Sequence, residues 1–301
     1  LILTTPSLSK AAFNMIRMNF KAELQYEVLD ASADFILNIH AANTPHQTII
    51  NEHFSISQPL HADMYTDPLY GTRFARFKAQ NGPLHISYAA SVDIAHYHAD
   101  PSTLEEVPIS QIPQEIMRYI YPSRYCQSDR LHKFAAREFG KMKPGFSRVK
   151  AIRDWIRERI KFEMGTTKAT TSALDTLIEQ SGVCRDFAHL MIALCRAVNI
   201  PARFVTGMDY GADPSYGPYD FHAYVEVYLS GRWYIVDPSG ISPPMGLIRL
   251  GTGRDAADVA FATIFGRIKS WAPVISIDAV DDTTNGFDLP YDCEDVLSTQ
   301  S

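Results

Sequence analysis

The chain has 301 residues, 46% of them hydrophobic, 11% aromatic and 21% charged, with 28 basic side chains against 34 acidic ones for a net charge of −6. That is enough apolar chain for a sizeable core in one or two domains, and it excludes a disordered or collagen-like polymer and a small disulfide-stapled scaffold. A pI near 5.9 argues against general binding to nucleic acid or anionic lipid, both of which need a basic surface.

The acid excess is local. Asp278, Asp281, Asp282, Asp288, Asp292, Glu294 and Asp295 follow the last cation, Lys269, and without those seven the balance becomes +1. The cysteines, Cys126, Cys184, Cys195 and Cys293, are too scattered for a secreted disulfide framework and form no CxxC pair, so a reducing, cytoplasmic setting is expected. No apolar run approaches the ~20 residues of a membrane span, and the opening LILTTPSLSKAAFNM lacks the basic and apolar regions of a signal peptide.

From about residue 20 to 94 the text alternates with period two. Phe35, Leu37, Ile39 and Ala41 share one face, as do Leu84, Ile86, Tyr88, Ala90, Val92 and Ile94, with Asn-Thr-Pro, Asp-Pro and Asn-Gly-Pro breaking the segments. This pattern predicts an antiparallel, sandwich-like β domain over 1–95. Residues 96–114, proline-bearing and without a sustained period, read as a linker.

Helical signal follows. Leu131, Phe134, Ala135 and Phe139 make one amphipathic stripe; Val149, Ile152, Ile156 and Ile160 make a second, with Ser147 as its expected N-cap. A third helix is expected over 172–180, stopping where Gly182 can take a left-handed cap. Phe187, Leu190, Met191, Leu194, Cys195 and Val198 mark a fourth, ended by Asn199-Ile200-Pro201. Strands are expected over 203–207, 221–229 and 233–237, the last two joined at Ser230-Gly231.

Cys184 therefore opens a helix, where free N–H groups and the positive end of the macrodipole favour a thiolate and can hold an oxyanion. A thiol nucleophile needs a base, and the base needs an acceptor on its other nitrogen. Hairpin parity supplies both. If Ser230-Gly231 is a two-residue turn, Leu229 pairs with Arg232 and His222 lies opposite Ser239. Asp237 is then its diagonal neighbour on the same face, roughly 7 to 8 Å away at Cα and within reach of an imidazole. Tyr224 and Glu226 share that face.

Other polar residues carry plainer readings. Cys195 lies roughly 16 Å along the helix from Cys184, so the two cannot be bridged, and it packs in the apolar stripe. His189 points about 140° away from Cys184 and reads as structural; Asp186 suits the first turn of a helix. His96 and His98 share a strand face, but no third ligand accompanies them, so they read as solvated linker histidines and no metal or cofactor is expected. The acidic end reads as a solvated tail that Phe287, Leu289 and Tyr291 could anchor.

The segments 182–189, 195–197, 200–203, 222–227 and 237–238, reading GVCRDFAH, CRA, IPAR, HAYVEV and DP, resemble the core of the transglutaminase-like superfamily, in a bacterial branch named for cysteine proteases. YPSRYC before them, GRDAADV after them and the preceding β region agree with that branch. The resemblance implies an α+β fold in which a papain-like core, over 115–277, carries its cysteine on a helix packed against an antiparallel sheet, followed by an acidic tail over 278–301. It also implies a triad carried over to Cys184, His222 and Asp237. Members cleave or transfer acyl groups at amide bonds, and some have lost catalysis. One departure is Phe162, which stands ahead of Gly165 where relatives commonly carry a tyrosine. The expectation is thus a cysteine-dependent acyl-transfer enzyme acting on a protein or peptide, with water favoured slightly over an amine as second substrate. A binding module without catalysis is the rival class.

Overall fold

A computed structural model describes residues 15–68 and 71–300. The start of the chain, read above for a leader pattern, lies outside the described residues. The N-terminal half contributes β1 (Ile16–Leu37), β2 (Gln47–Ile56), β3 (Asp63–Thr66), β4 (Arg73–Ile94) and β5 (Tyr97–Ala99). The middle holds α1 (Ser128–Phe139), α2 (Phe146–Arg159), β6 (Lys161–Phe162), α3 (Ala173–Glu179), β7 (Ser181–Gly182) and α4 (Cys184–Ala197). There follow β8 (Ala202–Asp209), β9 (His222–Leu229), β10 (Arg232–Val236), β11 (Leu247–Gly253), α5 (Ala256–Val259), β12 (Ala262–Phe265), β13 (Ile268–Ser270), β14 (Val274–Ala279) and β15 (Val296–Ser298). No helix among the described residues is long and apolar enough to cross a membrane.

Two antiparallel sheets and a helical layer make up the α+β architecture. The first sheet runs β12-β1-β4-β2, with β13 and β14 also on β1 and β3 on β4; the second runs β10-β9-β8-β11. Period-two alternation carries through the long antiparallel pair of β1 and β4, so that Met18, Leu24, Phe35, Ile86, Tyr88 and Val92 are buried together. The same cluster takes in Val205, Met208, Tyr224, Ile235, Leu247 and Ile248 from the second sheet. The sandwich is completed by the sheet of the core, because a sheet with one apolar face must cover it. Leu190, Met191, Leu194, Ala223, Val225 and Val227 pack the opposite face of the second sheet against the helices.

Strands β12, β13 and β14 pair with β1, so residues placed with the core by the boundary at 277 belong to the first sheet. Their weak alternation in sequence gave no sign of a distant partner. Residues 96–114 are not a free linker: His96, Leu104 and Ile112 are buried, and β5 pairs with β15. The tail is thereby anchored, through Val296, Leu297 and the buried Phe287, whereas Leu289 and Tyr291 stay exposed.

Two helix ends also differ from expectation. Gly145 rather than Ser147 precedes α2, and the Ser147 hydroxyl donates back to the Lys143 carbonyl at 2.9 Å. Helix α3 stops one turn residue early, with Gln180 in the left-handed region at φ 54. Gly182 is needed instead for space, since a Cβ there would lie 2.7 Å from the Cβ of Asp186.

Between the sheets, Glu226 accepts from Arg203 Nε at 2.6 Å and lies 3.7 Å from Arg249, and Trp233 covers the Arg203 guanidinium at 4.1 Å. All three charges are fully buried. Burial pushes the Glu226 carboxyl up, but the two guanidiniums outweigh it and hold it low. Removing one member of such a group strands the others without water. Glu226→Ala is therefore expected to destabilise the fold by about 3–5 kcal/mol, read as a lower denaturation midpoint; a change within about 1 kcal/mol of wild type would contradict this.

Candidate active site

Helix α4 brings the cysteine forward. Its N–H groups at Asp186 and Phe187 both bond the Val183 carbonyl, and the Asp186 carboxylate accepts from the Val183 N–H at 3.0 Å. Asp186 is buried, and it also receives the Thr167 hydroxyl and pairs with Arg185 at 3.3 Å. A carboxylate at this end of a helix completes the cap and meets the macrodipole. The Cys184 and Arg185 amides donate to no backbone carbonyl outside the helix among the described residues, and the Cys184 N–H lies at the open start of α4 with the half-buried sulfur.

The hairpin parity holds. Leu229 pairs with Arg232 and Val225 with Val236, around a turn in which Ser230 and Gly231 take φ of 46 and 83, as a two-residue hairpin turn requires. His222 Nε2 consequently meets Asp237 Oδ2 at 3.2 Å, with both side chains buried. With Nε2–H donated to the carboxylate, Nδ1 is the nitrogen left to take a proton, and the imidazole and Cys184 line the same cavity. The three candidate residues are thus brought together.

Burial alone would push the His222 imidazole down, but the charge and hydrogen bond of Asp237, the contact with Cys184 and the nearby Asp209 outweigh it and hold it well above its ordinary value. Asp237 is pushed up by burial and pulled down by His222 and Ser239, with a net lowering. Each charge stabilises the other.

Two residues were not singled out from sequence. Ser239 donates its N–H and hydroxyl to Asp237 Oδ1 at 2.8 and 2.7 Å, and so positions the carboxylate. Asp209 Oδ2 lies 3.9 Å from His222 Nδ1. The signal for it was available: Gly207 pairs with His222 across β8 and β9, so Asp209 is a diagonal neighbour by the parity that selects Asp237. Ending the strand at Gly207 hid it.

The other readings fall away from this centre. Tyr224 lies beside the imidazole with ring centroids 6.4 Å apart, while Glu226 is committed to the buried ion group. His189 is buried, accepts the Ala256 N–H at 3.2 Å and stacks on Tyr125, as a structural histidine should. His96 is buried rather than solvated, and its imidazole is pushed down to about 3 by burial and by the charges of His98 and His46. His98 pairs with Asp295 at 3.1 Å. No group of metal-ligating side chains is found among the described residues. Burial pushes the Cys126 thiol up to about 12 and raises that of Cys195 as well. Phe162 packs edge-on against Tyr216 at 5.2 Å, on the wall of a cavity of 700 Å³ into which Cys184 and His222 open.

Comparison with known proteins covers both halves. A family model for the transglutaminase-like superfamily matches residues 133–238, which include Cys184, His222 and Asp237, and a model for the bacterial transglutaminase N-terminal domain matches residues 16–115. A crystal structure from Cytophaga hutchinsonii, of what is called "a putative cysteine protease", superposes with a TM-score of 0.86 at 40% identity, covering 95% of this chain and 98% of that one. An uncharacterized protein of Mycobacterium leprae is 34% identical over 116 residues, 37% of this chain and 42% of its own length. Human kyphoscoliosis peptidase is 26% identical over 167 residues, 52% of this chain and 25% of its own. The matches thus span less than half the length of these two curated relatives. With both family models matched and a likeness at 40% identity running through nearly the whole length of two chains, the chain belongs to the transglutaminase-like superfamily.

Proposed function

We propose that this chain is a cysteine-dependent acyl-transfer enzyme acting on amide bonds of a protein or peptide. The observation that carries the reading is His222 bonded to Asp237 and lining, with Cys184, one cavity. Cys184 attacks the carbonyl as thiolate, its proton goes to Nδ1 of His222 and then to the leaving amine, and Asp237 keeps the tautomer that leaves Nδ1 free. The Cys184 N–H steadies the oxyanion. Water completes the turnover as second substrate, a choice supported by the words protease and peptidase in the relatives' names. A free thiol suits a reducing compartment, so the proposed setting is cytoplasmic.

Alkylation of the native protein, with mass spectrometry to locate the label, tests the reading. Cys126 and Cys195 are fully buried, which makes Cys293, half-exposed like Cys184, the fair comparison. Cys184 is expected to label at least tenfold faster than Cys293, and His222→Ala to remove most of that advantage. Equal rates, or a rate indifferent to His222, would end the nucleophile assignment.

A further inference from the structure

The Asp237 carboxylate stands just past the end of its strand. Val236 is the last β10 residue paired with β9, and Pro238 has no N–H to give, so the main chain at 237–238 lies beyond the ladder that fixes the strand before it. Ser239 holds one carboxylate oxygen, Oδ1. The main chain itself is held from another part of the molecule, by Arg157 near the end of α2.

Arg157 is an exposed side chain, and such arginines ordinarily carry their charge into water. This one turns its guanidinium onto the segment after β10: Nη2 donates to the Asp237 carbonyl at 2.6 Å and Nε to the Pro238 carbonyl at 3.3 Å. Gly240 follows at φ 69, in the left-handed region, and a Cβ there would lie 2.7 Å from Arg157 Cζ. The guanidinium thus fills the space that a side chain at 240 would need. A planar group whose donors are fixed relative to one another sets orientation as well as distance, which a single ammonium does not.

Resting on the acyl-transfer reading above, we infer that Arg157 is a positioning residue, which touches no reacting atom and fixes the main chain at Asp237 so that its carboxylate meets His222. The dependence is steep, because the bond from His222 Nε2 to Asp237 Oδ2, at 3.2 Å, is already at the long end of the range for N–H donors. A misplacement of about 1 Å can cost on the order of 10²-fold in rate. The packed face of α2, with Val149, Ile152 and Ile156 buried, does not include Arg157, so its replacement leaves the core intact.

The test compares Arg157→Ala, which removes both bonds and the charge, with Arg157→Lys, which keeps the charge but cannot bond two carbonyls through one planar fork. Turnover of p-nitrophenyl acetate gives kcat and KM, and NMR titration of the His222 ring gives a readout that needs no turnover. Loss of a nearby cation would by itself move the His222 midpoint up, whereas a carboxylate that has drifted from the ring moves it down. In Arg157→Ala, kcat is expected to fall about 10²-fold with KM held, and the His222 midpoint to fall. Arg157→Lys is expected to lose kcat and midpoint in the same direction, and, as a good helix former, it carries the test if the alanine variant does not fold. A kcat within twofold of wild type, a midpoint that stays or rises, or full recovery in Arg157→Lys overturns the positioning role. A midpoint that falls as expected in a protein whose wild type never acylates Cys184 supports the hold on Asp237 and overturns the acyl-transfer reading instead.

Discussion

Cys184→Ala is expected to abolish turnover, with kcat falling on the order of 10⁶-fold, the loss seen when a triad nucleophile is removed. The argument is one of covalent chemistry: no other side chain at the start of α4 can form the acyl intermediate, and water in the vacated space lacks the sulfur's nucleophilicity. Fold stability should change little. The start of the helix is capped by Asp186, which takes the Val183 N–H and the Thr167 hydroxyl, and Cys184 is only half-buried. Turnover of p-nitrophenyl acetate and a denaturation curve measured on the same preparation separate the two effects. Residual activity within tenfold of wild type, from a folded variant, would refute the assignment.

Asp237→Asn should cost on the order of 10⁴-fold in kcat, because an amide can donate to Nε2 and so stabilise the tautomer with its proton on Nδ1, which cannot then accept from the thiol. Its second consequence is a pH signature. His222 is raised above 6.5 in the fold, so its contribution to stability is fully present below pH 6.5 and is lost as pH rises through the folded value. Asp237 is lowered below 3.8, so its contribution is fully present above pH 3.8 and is lost as pH falls through the folded value. Both act in full between those limits. The stability gap between wild type and Asp237→Asn is therefore expected to be widest from about pH 4 to 6.5 and to narrow on either side. A gap that is flat with pH would mean that the carboxylate does not pair with an imidazolium. Titration of the His222 ring by NMR gives the same answer directly, with its midpoint falling in the variant once the attractive charge is gone.

Much of this site could be read from the order of residues, for reasons that are local. A helix start depends on backbone geometry near Cys184, and the face shared by His222 and Asp237 depends on the length of one turn, so both are decided within a few residues. The apolar stripe of α4 and the alternation in β1 and β4 are equally local. Asp209 shows where such reading stops. Its partner strand is joined to it by the loop 210–221, and the pairing of Gly207 with His222 is a long-range contact that no turn specifies. Ser239 lies just past β10, where no periodicity remains to say which atom it faces.

The larger misreadings have the same origin. β12 to β14 are short, half-exposed strands whose weak patterning does not name β1 as their neighbour, more than two hundred residues back. His96 was expected in water because polar, proline-bearing text usually is, but it is buried, with His98 and His46 near enough for their charges to act on it. Amino-acid order was sufficient for the α+β class, for the helix that opens on Cys184 and for the shared face of His222 and Asp237, since each follows from period, parity or capping over a short stretch. Three-dimensional packing was required for the sharing of the first sheet by both ends of the chain, the buried Arg203, Glu226 and Arg249 group, and the approach of Asp209 to His222. Those arise where segments distant in sequence must satisfy one another's apolar faces and charges, and local rules carry no information about which segments will meet.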